Sequence, residues 1–74
     1  MSSFNFEIIE GIATLSESED GRYTTELNLI SYNGKEAKWD IRKWDRKDNR
    51  MFKGVALNDD ELIKLKEALE DIEF

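Results

Sequence analysis

An α+β fold is predicted: a four-stranded antiparallel β-meander followed by one C-terminal α-helix that covers one face of the sheet. Three features carry this. Four runs between residues 6 and 57 are rich in β-branched and aromatic residues. The pairs Asp20-Gly21 and Asn33-Gly34 supply turn chemistry between the first three runs. A stretch of helical periodicity, opened by a capping sequence, comes last.

The first strand is read over residues 6–15, bent or bulged at Gly11. Residues 16–21 form a polar loop ending in Asp20-Gly21. The second strand spans residues 22–32. One parity holds Tyr23, Thr25, Leu27 and Leu29 and reads as the core face. The other holds Arg22, Thr24, Glu26, Asn28, Ile30 and Tyr32 and reads as the exposed face. Asn33 and Gly34 both tolerate φ > 0, which a type I′ hairpin requires. The third strand spans residues 37–44, with Trp39 and Ile41 on one side and Lys38, Asp40, Arg42 and Trp44 on the other. Residues 45–50 are a charged loop. The fourth strand covers residues 51–57, with Gly54 at a bulge or close approach. Asn58 is the N-cap of the helix, and Glu61 completes a capping box. Asp59, Asp60 and Glu61 place negative charge at the positive end of the helix dipole. Leu62, Leu65, Leu69 and Ile72 form the stripe that packs on the sheet.

The chain has 74 residues, 11 Lys+Arg, 17 Asp+Glu, and no His, Cys or Pro. One domain, residues 1–74, follows from that length. Without His or Cys there is no His-based triad, no Cys nucleophile and no ordinary zinc site. A non-enzymatic protein without cofactor or metal is expected. The carboxylates Asp40 and Asp45 read as cross-strand partners of Arg rather than as a catalytic pair. The start of the chain has no basic and apolar leader, and no apolar run is long enough to span a membrane, so a cytoplasmic protein is expected. A domain this small buries only about 60% of its unfolded surface, and it lacks disulfides. Oligomerisation is the expected support.

Charge is segregated along the chain. Residues 1–34 hold six acids and one base, residues 35–54 eight bases and four acids, and residues 55–74 seven acids and two bases. The net charge of −6 therefore hides a basic middle. On the sheet face away from the helix, Tyr32, Lys38, Arg42 and Trp44 are expected to project together, with Asn28 further along. Lys53, Lys35 and Arg50 flank them. Exposed rings among cations suit unpaired nucleobases and phosphates. Each residue also has a plainer reading: Trp44 as core or interface, Arg42 as an ion-pair partner of Asp40 or Asp45, and Arg46 and Lys47 as solvated loop. A protein-interaction or dimerisation module using the same aromatic-basic face is the alternative function.

Several segments together resemble the transcriptional positive cofactor four family, in particular its small bacterial YdbC-type branch. They are Glu26-Leu27-Asn28, Ser31-Tyr32-Asn33, Lys38-Trp39-Asp40-Ile41-Arg42-Lys43-Trp44 and Met51-Phe52-Lys53-Gly54-Val55-Ala56-Leu57. The resemblance runs from about Phe6 to Leu69. It implies a homodimer that binds single-stranded DNA without strong sequence preference, in transcription, replication or recombination. By the same resemblance, Tyr32, Arg42, Trp44 and Lys53 contact DNA, with Lys38 an approximate counterpart. The long Ser-rich tail of eukaryotic members is lacking. RNA is an alternative ligand, because stacking does not read the 2′-hydroxyl.

Overall fold

A computed structural model describes residues 5–74. The readings of the chain start and of a domain beginning at residue 1 extend into residues 1–4, outside the described residues. Strands β1 (Phe6–Glu17), β2 (Tyr23–Tyr32), β3 (Lys38–Asp45) and β4 (Arg50–Leu57) precede helix α1 (Asp59–Glu70). The strands form one antiparallel sheet in the order β1-β2-β3-β4. This is the predicted meander followed by a C-terminal helix.

Local chemistry explains each junction. Asn33 and Gly34 have φ of 53° and 73°, the paired positive values that a type I′ turn demands. The Asn33 side chain also accepts a 2.7 Å hydrogen bond from the backbone N–H of Asn5, fixing the start of β1 beside the hairpin. Between β1 and β2, Asp20 accepts from the Ser18 hydroxyl at 2.6 Å and from the Arg22 N–H at 3.0 Å. The capping box forms as expected: Glu61 N–H donates to Asn58 Oδ1 at 2.8 Å, and Asn58 N–H donates to Glu61 Oε1 at 2.9 Å. The indole N–H of Trp39 donates to Asp59 Oδ1 at 2.8 Å and ties the helix start to β3.

Strand β1 is where simple alternation fails. Its register with β2 slips three times, between Ile8 and Glu10, Gly11 and Ala13, and Thr14 and Ser16. Ile9, Ile12 and Leu15 are left without partners, so β1 advances in steps of three residues rather than two. The bend expected at Gly11 is present, with irregularities on both sides of it. Repeated bulges increase twist and curl the sheet. Phe6 pairs with Tyr32, and Trp44 pairs with Thr24, eight residues further back along β2. A flat sheet would hold these positions roughly 25 Å apart. Their ring centroids are 5.7 Å apart. The face that carries Phe6, Tyr32 and Trp44 is therefore the inside of a curl.

This curl reverses the expected burial. Thr24, Glu26, Asn28 and Ile30 are buried, whereas Tyr23, Thr25, Leu27 and Leu29 are only half-buried. The polar residues tolerate burial because they satisfy one another: Glu26 accepts from Thr24, from Asn28 at 3.1 Å and from Arg46 Nε at 2.8 Å.

Helix α1 lies over the opposite face, touching β3 and β4. It leaves an apolar groove among Leu27, Ile41, Leu62, Leu65 and Leu69. No helical residue is buried; Leu69 is 51% and Val55 49% exposed. Ile72, expected in the stripe, lies beyond the helix end. The Cα radius of gyration is 13.7 Å, against about 11 Å for a compact domain of this length.

Candidate nucleic-acid interface

The predicted site residues divide into three groups. Tyr32 and Arg42 meet on the inner face through Asp40, which is fully buried. The Tyr32 hydroxyl donates to Asp40 Oδ2 at 2.6 Å. Arg42 donates through Nε to Oδ1 and through Nη2 to Oδ2, both at 2.6 Å. Its remaining nitrogen reaches the Phe52 carbonyl oxygen at 3.0 Å and Met51 Sδ at 3.5 Å. The guanidinium carbon stands 5.9 Å from the Tyr32 ring centroid. Burial pushes the Tyr32 hydroxyl well above its usual range, and donation to Asp40 adds to this. Hydrogen bonding to Asp40 likewise raises Arg42. The result is a fixed carboxylate-centred clamp in which Tyr32 is half-buried.

The second group consists of exposed cations. Lys38 lies on β3 opposite Ile30, and Lys35 sits in the turn just after Tyr32. Arg50 opens β4 opposite Asp45. Lys53 and Phe52 occupy the bulge that faces Lys43, between the pairs Arg42↔Gly54 and Trp44↔Met51. The close approach expected at Gly54 is real: a Cβ there would overlap that of Arg42 and stand 2.5 Å from the Ile41 carbonyl oxygen.

The third group corrects the sequence reading. Trp44 was expected to project into solvent, yet it is 0% exposed. Phe6 packs against its ring at an interplanar angle of 56°, and the Arg46 guanidinium lies 4.5 Å from its centroid. Its indole N–H has no hydrogen-bond partner among the described residues. Asn28 was also placed on an exposed face, yet it is buried against Gly11 and Glu26. Both expectations failed for the same reason: β1 closes over this face. Arg46, expected to be solvated loop, instead returns to the inner face as the partner of Glu26. Asp40 and Asp45 each pair with an Arg; Asp45 does so with Arg22 at 2.9 Å, whereas the partner of Asp40 is Arg42 of its own strand rather than a cross-strand residue.

These acids give the fold a pH signature. The Arg22 guanidinium holds Asp45 below the ordinary carboxylate value of 3.8, helped by the N–H groups of Asp48 and Lys47. Burial alone would raise Glu26, but hydrogen bonds from Arg46, Thr24 and Asn28 outweigh it and bring the group below its ordinary 4.5. A depressed folded-state pKa contributes stability that is complete above the unfolded value and is lost as pH falls through the folded one. Urea unfolding midpoints should therefore be level above about pH 5 and decline steadily below it. Asp45→Asn should flatten that decline. An unchanged acid limb in Asp45→Asn would show that Asp45 does not contribute to it.

Among the described residues, no cluster suits a metal ion and no helix is long and apolar enough to cross a membrane. A second group of rings and cations, Tyr23 and Phe52 with Arg22, Lys43 and Arg50, lies, apart from Arg50, outside the residues expected at the site. The available signal was Phe52 flanked by Arg50 and Lys53.

The chain is 39% identical over 66 residues to an uncharacterized protein of Treponema pallidum (strain Nichols), covering 89% of this chain and 76% of that relative. Residues 22–68 match the sequence profile of the family described as Transcriptional Coactivator p15 (PC4). That segment contains β2, β3, β4 and most of α1, together with the Tyr32–Asp40–Arg42 clamp and the exposed cations. The chain thus belongs to the transcriptional coactivator p15 (PC4) family.

Proposed function

We propose that the chain is a non-enzymatic protein that binds single-stranded DNA largely independently of sequence. The family consists of non-enzymatic DNA-binding proteins and suggests single-stranded DNA binding and transcription coactivation. The observation that carries the reading is that the matched segment contains all eight residues expected at the interface: Asn28, Tyr32, Lys35, Lys38, Arg42, Trp44, Arg50 and Lys53.

In this reading Lys35, Lys38 and Lys53 neutralise phosphates, and the Tyr32 ring stacks on a base while Asp40 and Arg42 hold it still. Trp44 and Asn28 act from beneath, by fixing the curl. A second copy of the chain covers the apolar groove of Leu27, Ile41, Leu62, Leu65 and Leu69, giving a homodimer. The half-exposed helix and the large radius of gyration support that assembly. RNA is a permitted ligand, since stacking ignores the 2′-hydroxyl.

An anisotropy titration of the full chain with labelled oligo-dT, beside duplex and RNA controls, tests this. Binding should be tightest for single strands. With at least these three cations engaged, the logarithm of the association constant should fall with the logarithm of salt at a slope of about −2 or steeper. A flat salt response would remove phosphate contact from the mechanism. Absence of binding would favour a protein partner for this face.

A further inference from the structure

The combination expected at Tyr32 and Trp44, rings open to solvent beside cations, occurs on the opposite face of the sheet. Tyr23 and Phe52 stand 6.1 Å apart between ring centroids at an interplanar angle of 50°. Phe52 is 37% exposed and Tyr23 half-buried. The Lys43 ammonium lies 5.8 Å and the Arg22 guanidinium 5.1 Å from the Tyr23 centroid. The Arg50 guanidinium lies 5.9 Å from that of Phe52. Arg22 is engaged by Asp45 and Asp48. Among the described residues, no carboxylate pairs with Lys43 or Arg50.

The β4 bulge builds this cluster. Met51 faces inward to Arg42, and the extra residue in β4 lets the Phe52 ring reach Tyr23 on the outer face. An exposed ring bordered by two cations that pair with no carboxylate among the described residues offers one apolar plane and two positive charges. Flat, unpaired bases joined by phosphates match both features; a duplex hides the former. The two positive charges disfavour a basic partner.

We propose that Phe52, Tyr23, Lys43 and Arg50 form a second contact site for single-stranded nucleic acid, on the opposite sheet face from Tyr32. A base stacks on Phe52, and Lys43 and Arg50 hold the phosphates on either side of it. Lys53, on the outermost strand, stands where a bound strand crosses the sheet edge from one face to the other. The inference rests on the single-strand-binding reading above and extends it to a strand wrapped around β4.

The test uses the full chain and oligo-dT of about 20 nucleotides, long enough to reach both faces. Phe52→Ala should weaken binding about five- to 150-fold, the range for loss of one base stack. The double variant Lys43→Gln/Arg50→Gln should make the salt slope shallower by about 1.4. Lys38→Ala reports on the first face. Phe52→Leu keeps apolar bulk without a π-face, and should show the same weakening with an unchanged melting curve if Phe52→Ala fails to fold. Wild-type protein that binds no oligonucleotide overturns the underlying reading and this inference with it. Wild-type binding that is weakened by Lys38→Ala but unchanged in folded Phe52→Leu and in the double variant overturns the second site alone. Loss of self-association rather than of DNA affinity in the double variant assigns the patch to a protein contact, and also overturns it.

Discussion

Asp40→Ala should cost about 3–5 kcal/mol of folding stability, read as a loss of urea unfolding free energy. Asp40 is fully buried and the Arg42 side chain is 14% exposed. Removing the carboxylate leaves a largely buried guanidinium with two donors unmatched and strands the Tyr32 hydroxyl. The penalty arises from that uncompensated charge rather than from the intrinsic strength of the pair. The double variant Asp40→Ala/Arg42→Ala should therefore cost less than the sum of its single changes. Strict additivity would mean that the two groups do not depend on each other. Because the clamp also orients Tyr32, Asp40→Asn should weaken oligo-dT binding even where the protein stays folded.

Trp44→Ala should cost a similar about 3–5 kcal/mol, for a different reason. The indole fills the inside of the curl between Phe6 and Arg46. Its deletion opens a cavity that cannot collapse without flattening the sheet. Trp44→Phe should be much milder, since the indole N–H has no acceptor among the described residues and an aromatic ring is kept. A Trp44→Ala protein that melts like wild type but loses oligonucleotide affinity would make the ring a surface platform and reverse this assignment.

The elements were legible in the sequence because their signals are local. Asn33-Gly34, the Asn58–Glu61 box and the Leu62, Leu65, Leu69 stripe each depend on residues a few positions apart. The faces were not legible. A period of two assumes a ladder without slips, and β1 slips three times while β4 slips beside Gly54. Thr24, Glu26 and Asn28 look like a solvent face until Arg46, twenty residues from Glu26, arrives to pair with it. The same distance effect hid the Tyr23–Phe52 contact, which only the β4 bulge brings about. Lys35, Lys38, Arg50 and Lys53 were read correctly as exposed because their long charged chains resist burial in any register.

The broken register of β1 has a consequence for life in a crowded solution. β1 is an outer strand of twelve residues carrying Ile8, Ile9, Ile12 and Leu15 at the surface. Were it straight, its unpaired amides and carbonyls would template the addition of strand upon strand from neighbouring molecules, the first step towards a fibril. Each slip throws those groups out of phase with any flat newcomer, so the kinks that wrap the sheet around Trp44 also keep its rim from growing.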